Sequence, residues 1–202
     1  MIAGIVLAAG RSRRMGEPKP FLLFRGETFL ARAVRTLREG GCDEVVVVAG
    51  PEGDARAEEV VAAAREAGAR PVHNPAPESE QVDSLRVGLA ALAPEADAAV
   101  VLPVDVPGIG AATVRALVEA FRARGAPVVR ATHRGAHGHP VLFARRLFAE
   151  LHADPLPEGA RTVIRAHAAE VEELPAGEAE VLVDVDTPDD YRRLLREDDA
   201  RG

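Results

Sequence analysis

Ile2-Ala3-Gly4-Ile5-Val6-Leu7-Ala8-Ala9-Gly10-Arg11-Ser12-Arg13-Arg14-Met15-Gly16-Glu17-Pro18-Lys19 is an apolar run that breaks abruptly into a basic, glycine-containing loop. Ile2 to Leu7 has the composition of a buried strand. The loop after it gathers Arg11, Arg13, Arg14 and Lys19 around Gly10 and Gly16, a composition suited to an anion. Glycine lets the backbone turn tightly and approach a ligand, so amides at Ala9 to Arg11 are placed to face phosphate oxygens. Of the 25 basic residues in the chain, Lys19 is the only lysine. A compact ammonium and a flat guanidinium are not interchangeable, so a lone lysine inside this loop marks a place where a point charge is required.

Outward from this stretch, strand-like and helical patterns alternate. Glu44–Ala49, Arg70–His73 and Ala98–Val104 read as strands, and Phe29–Leu37, Ala55–Ala67, Glu80–Leu92 and Ala112–Arg124 as helices. That rhythm belongs to a three-layer α/β fold with a mostly parallel sheet. Val45 to Val48 and Val100 to Leu102 are apolar on both faces, as strands covered by helices on each side are. Beyond Arg124 the rhythm changes. Extended runs at Pro127–Thr132 and His139–Phe143 are placed to pair, with a His/Gly loop between them that reads as flexible. Helices at Arg145–Leu151 and Ala160–Ala168 follow, then extended segments near Glu170–Leu174 and Glu180–Val185, and a last helix from Pro188.

The 202 residues suffice for one well-buried core, and no linker composition divides them, so residues 1–196 read as one domain and 197–202 as a disordered tail. A net charge of -7 argues against a general nucleic-acid binder and isolates the basic cluster at Arg11 to Lys19. No Trp and a single Tyr make a base-stacking platform improbable. The one cysteine, Cys42, excludes internal disulfides and a thiolate zinc cluster, and fits a reducing cytoplasm. The first apolar run is too short, and lacks the basic flank, for a signal peptide. No stretch approaches a membrane span.

In open α/β sheets ligands bind outside the carboxyl ends of the strands. Three chemically loaded segments fall there: the opening loop, Asp105 after Ala98–Val104, and Asp186 after Val181–Val185. A carboxylate at an apolar strand end, between valines and before Pro107, is costly to bury without a cation. Asp184 and Asp186 share one strand face, while Thr187, Pro188 and Asp190 read as a helix cap. The loop itself is neither of two common phosphate fingerprints. Glu17 and Pro18 separate Gly16 from Lys19, so it is not a Walker A loop, and Gly-x-Gly-x-x-Gly is absent. Pro18 and Pro20 predict an extended segment around Lys19. His133, His137 and His139 cluster near Arg134, but no further ligand for zinc is evident.

The loop resembles the Leu-Ala-Ala-Gly-x-Ser-x-Arg-Met-Gly-x-x-Lys signature of the MobA-like nucleotidyltransferases, in particular their molybdenum cofactor cytidylyltransferase branch. The resemblance continues through Lys19-Pro20-Phe21-Leu22, Asn74-Pro75, Ser84-Leu85-Arg86-Val87-Gly88-Leu89, Leu102-Pro103-Val104-Asp105-Val106-Pro107, Gly138-His139-Pro140-Val141 and Asp184-Val185-Asp186-Thr187-Pro188. It implies a nucleotide-diphospho-sugar-transferase-like fold with one antiparallel strand in the second half of the sheet. It also implies that Leu7, Ala8, Ala9, Gly10, Arg14 and Lys19 hold a nucleoside triphosphate, with Asn74 and Ser84 near the base. Asp105 and Asp186 then carry Mg²⁺, with Lys19, Arg14 and Asp105 as the catalytic set and His139 on the acceptor side. The implied reaction is transfer of CMP from CTP to molybdopterin, with transient contact to a molybdoenzyme or its chaperone.

Ala9, where guanylyltransferases tend to have glycine, leans towards cytidine. Glu80-Gln81-Val82-Asp83 departs from the small residues usual before Ser84 and keeps the base open. Guanylyl transfer, transfer to a sugar or other small phosphate, and a non-catalytic nucleotide-binding module are the alternatives. A nicotinamide enzyme fits less well, because Val48-Ala49-Gly50 offers no acid for a ribose hydroxyl.

Overall fold

The computed structural model describes residues 1–10, 12, 14–76, 80–177 and 182–200. Its first strand, β1 (Ile2–Leu7), is buried at every position. A short hairpin follows, β2 (Leu23–Phe24) and β3 (Glu27–Thr28), turned by Arg25 and Gly26 at φ 51 and 78°. Then come α1 (Phe29–Glu39), β4 (Glu44–Ala49), α2 (Ala55–Glu66), β5 (Arg70–His73), α3 (Gln81–Ala90), β6 (Ala98–Pro103) and α4 (Ala111–Arg124). The second half adds β7 (Val128–His133), β8 (Ala136–Ala144), α5 (Phe148–His152), α6 (Ala160–Ala166), β9 (Val171–Pro175) and α7 (Pro188–Asp199). Helix starts are capped as their sequences dictate: Thr28 Oγ1 accepts from the Ala31 amide, and Asp54 Oδ1 from those of Arg56 and Ala57.

One seven-stranded sheet runs in the order β5-β4-β1-β6-β8-β7-β9, with β8 alone antiparallel to its neighbours. Side-chain alternation along β1 feeds two cores. Ile2 and Val6 pack with Phe29, Val60 and Leu117 of α1, α2 and α4. Ile5 and Leu7 pack with Leu85, Leu151 and Val163 of α3, α5 and α6. The mixed three-layer αβα fold is thus the one the sequence predicts.

The chain winds outward from β1 through β4 to β5, then returns to β6 on the other flank of β1. The switch point therefore opens between the adjacent ends Leu7 and Pro103, and it is here that ligands enter such sheets.

Several expectations are corrected. Residues 178–181 lie outside the description, and from Leu182 to Asp186 the chain forms no strand. Val185 is instead plugged into the core at 0% exposure, and its amide donates to the Asp105 carbonyl at 2.8 Å. The segment after Pro18 is not fully extended: Lys19–Phe21 makes one 3-10 turn, with proline where no amide bond is needed. The loop read as flexible between β7 and β8 is a tight hairpin, because Arg134 and Gly135 both take positive φ (50 and 80°). Helix α7 runs through Asp199, three residues into the expected tail, held by the Arg25–Asp198 ion pair at 2.5 Å. Among the described residues no helix is long and apolar enough to cross a membrane.

Candidate active site

Three segments distant in sequence meet at the switch point. The Lys19 ammonium donates to Asp105 Oδ2 at 2.8 Å and to Asp186 Oδ1 at 2.6 Å. Arg14 pairs with the other oxygen of Asp186 at 2.9 Å. Lys19 is delivered by the loop, whose backbone is tied around Ser12. The amides of Met15 and Gly16 donate to the Ser12 carbonyl, and the Lys19 amide to Ser12 Oγ at 3.1 Å. Met15 is buried beneath the loop as an anchor, and Gly16 supplies the left-handed turn at φ 79°. Asp105 is delivered by β6 and Asp186 by the cap of α7. There the amides of Asp186 and Thr187 donate to Asp190 Oδ2, and Asp190's own amide donates to Thr187 Oγ1. The Val185 to Asp105 backbone bond stitches the two acidic segments together.

The charges are strongly coupled. Burial pulls the Lys19 pKa down, but hydrogen bonds and charge from Asp105 and Asp186 outweigh it and hold it above the ordinary lysine value. The Lys19 hydrogen bond, aided by Arg14, keeps Asp186 below the usual carboxylate range. Asp184 moves the other way: loss of water raises it, and the negative charges of Asp105 and Asp186 add to the shift.

Two cavities flank this ion cluster. The smaller, about 200 Å³, is lined by Gly10, Ser12, Lys19, Ser84 and Asp105 among others. The larger, about 940 Å³, lies over β6, β7 and β8 and takes in His139, Arg130, Arg161 and Asp184. Leu7 and Pro103 line both, so the two spaces share a wall at the switch point.

The predicted residues mostly converge. Leu7, Ala9, Gly10, Arg14, Lys19, Ser84, Asp105 and Asp186 lie at or beside the cleft. Ala8 spends its amide on the Val48 carbonyl, extending β1 along β4. Asn74 is 2% exposed and donates to Ser84 Oγ at 3.0 Å, behind the lining of the small cavity. His139 lines the larger cavity. Its Nδ1 is buried with no partner among the described residues, and burial lowers its pKa. His137 lines the same cavity, where it meets Glu173 and Arg130, whereas His133 turns to the Ala176 carbonyl. Arg11 and Arg13 of the basic cluster lie outside the described residues.

The sequence reading missed Ser12 as the hub of the loop, although its place inside the basic cluster was a signal. It also missed Arg161, whose charge acts on both His139 and Asp184, and which nothing in the local sequence singles out.

Among the described residues no three His, Cys, Asp or Glu side chains form a ready-made metal cluster. Asp105 and Asp186 nonetheless share one cation, the ammonium, between hard oxygen ligands. A magnesium-sized ion that takes two carboxylates and completes its shell with phosphate and water fits that donor set once the ammonium moves.

Comparisons with known proteins bear on the family and the fold. A MobA-like NTP transferase domain matches residues 4–171. A segment of 47 residues, 23% of either chain, is 57% identical to a probable molybdenum cofactor guanylyltransferase of Opitutus terrae. Over 96% of both chains, the sequence is 32% identical to the nicotine blue oxidoreductase of Paenarthrobacter nicotinovorans. Rv0371c of Mycobacterium tuberculosis H37Rv superposes with a TM-score of 0.80 at 34% identity, over 96% of this chain and 98% of that one. A second structure of that protein, at TM-score 0.75 and 32% identity with the same coverage, is a complex with manganese. With the fold, the switch-point cleft and a domain match over most of its length, the chain belongs to the MobA-like NTP transferase family.

Proposed function

We propose that this protein transfers CMP from CTP to the phosphate of molybdopterin and releases pyrophosphate, with Mg²⁺ held by Asp105 and Asp186. The observation that carries the reading is the position of Lys19 between those two acids, on the lining of the small cavity, which shares Leu7 and Pro103 with the large one. In this reading the triphosphate lies along Gly10, Arg14 and Lys19 with its base towards Ser84, and the acceptor fills the larger cavity beside His139. An oxygen of the acceptor phosphate attacks the α-phosphorus. The bond from that phosphorus to the β-bridging oxygen breaks, and pyrophosphate leaves with the electron pair. The chain's own task is to hold both partners in line and to place Lys19 and Arg14 on charge that grows on the phosphates. The metal, when bound, neutralises phosphate charge and fixes the geometry of the triphosphate. No protein nucleophile is needed, because the acceptor phosphate supplies one.

The test is pyrophosphate release with CTP, GTP, ATP and UTP against a panel of phosphorylated acceptors. CTP with molybdopterin is expected to turn over fastest. Asp105→Ala and Lys19→Ala are expected to stay folded and lose ~100-fold or more in rate, the scale of removing one electrostatic contact to a transition state. Near-normal turnover in either variant sinks its assigned role. GTP as the preferred donor is the rival favoured by the local match to the Opitutus protein. The full-length similarity to the Paenarthrobacter enzyme favours a reading of another class, reduction of a substrate in the large cavity. Oxidation of NADH or NADPH without any triphosphate separates that reading from transfer, and binding without pyrophosphate release marks a nucleotide-binding module.

A further inference from the structure

Lys19 has a side chain only 12% exposed, and its two partners come from segments 86 and 167 residues away. Its backbone is pinned: the amide donates to Ser12 Oγ, and the carbonyl accepts from the Leu22 amide. Only the flexible four-carbon stem is free to swing. We propose that Lys19 is a latch that makes a divalent cation and a polyphosphate bind as a pair, each weakly when alone; this rests on the reading of the cleft as a metal–triphosphate site.

The argument is one of charge exchange. At 2.8 and 2.6 Å from the two carboxylates, the ammonium stands where a shared cation would stand. A cation arriving alone must expel it and leave an unpaired, mostly buried positive charge beside a divalent ion. A polyphosphate arriving alone must draw the ammonium away and leave Asp105 and Asp186 facing each other and the anion. When both arrive, the exchange balances: the cation replaces the ammonium between the acids, and the ammonium moves to the phosphate. Arg14 does not remove the need for this, since among the described residues its acidic partner is Asp186 and its side chain is 71% exposed. Such coupling is reciprocal, so each ligand strengthens the other by the same factor.

The experiment uses Mn²⁺ alone, followed by electron paramagnetic resonance, and inorganic tripolyphosphate in EDTA, followed by calorimetry. Neither probe depends on the base, the acceptor or turnover. Lys19→Met is expected to bind Mn²⁺ at least tenfold more tightly than wild type although it loses transfer, whereas Lys19→Arg, which keeps the charge, stays weak. Lys19→Gln serves if the methionine variant does not fold. In the mirror arm, Asp105→Asn with Asp186→Asn is expected to bind tripolyphosphate in EDTA at least tenfold more tightly. Wild-type Mn²⁺ affinity in both Lys19→Met and Lys19→Gln, each folded by circular dichroism, overturns the latch alone. Failure of every variant to bind either probe overturns the metal–triphosphate reading with it.

Discussion

Cys42 is 7% exposed, and a methyl group added at Gly4 would lie 3.4 Å from its sulfur, so the thiol is walled in by the β1 and α1 packing. Burial first, and the charge of Asp43 second, push its pKa up to about 12. A group whose folded value lies above its unfolded value stays protonated when the unfolded chain has lost its proton. Stability from this thiol is therefore complete below the ordinary cysteine value of 9.0 and drains as pH rises from there towards about 12. The expected slope is up to ~1.4 kcal/mol per pH unit, read as the difference between wild type and Cys42→Ala in denaturant titrations at pH 8 and pH 10.5. At pH 8, Ellman's reagent is expected to titrate no thiol in the native protein and one after denaturation. A native thiol that reacts within seconds contradicts the burial. The burial of Cys42 comes from packing that the sequence does not spell out, whereas Lys19 was readable in advance because composition alone set it apart.

At the next scale, elements place the acids. Thr187 and Asp190 exchange bonds at the start of α7, and the same Asp190 oxygen accepts from the Asp186 amide at 3.3 Å, so the cap also holds a proposed metal ligand. Thr187→Ala is expected to cost ~1 kcal/mol in denaturant unfolding and to weaken Mn²⁺ binding in the presence of nucleotide. A stability loss with unchanged metal affinity separates the cap from the site. Helix α3 carries a second test. A Cβ at Gly88 would stand 2.7 Å from Ile5 Cγ2 and 3.2 Å from Val48 Cγ2, so α3 packs tightly there on β1 and β4. Gly88→Ala is expected to destabilise by ~1–2 kcal/mol despite its better helix propensity, because the clash is with β-branched core side chains that have little room to give. An increase in the denaturant midpoint refutes that packing. Most element boundaries were legible because apolar periodicity is local. The extended segment expected at Glu180–Val185 has real alternation, yet among the described residues from 182 on it joins no sheet; buried Val185, tied to the Asp105 carbonyl, accounts for the pattern.

For the whole molecule, a single sheet carries both cores from β5 to β9, and α1, α2 and α4 cover one face while α3, α5 and α6 cover the other. Unfolding is therefore expected as one transition, with far-UV circular dichroism and calorimetry coincident; a separate early melt of the β7–β9 half breaks this expectation. The sequence by itself determined the α/β rhythm, the anion-seeking loop, the acids at strand and helix ends, and the caps. Each of these follows from interactions within a few residues. Only the tertiary structure decided that Lys19 lies between Asp105 and Asp186, that Asn74 donates to Ser84, that His137 and His139 but not His133 line the large cavity, and that Arg161 lines it too. The Lys19 contacts join segments 86 and 167 residues apart. Their geometry is set by strand order and by the switch point between β1 and β6, which no local pattern encodes.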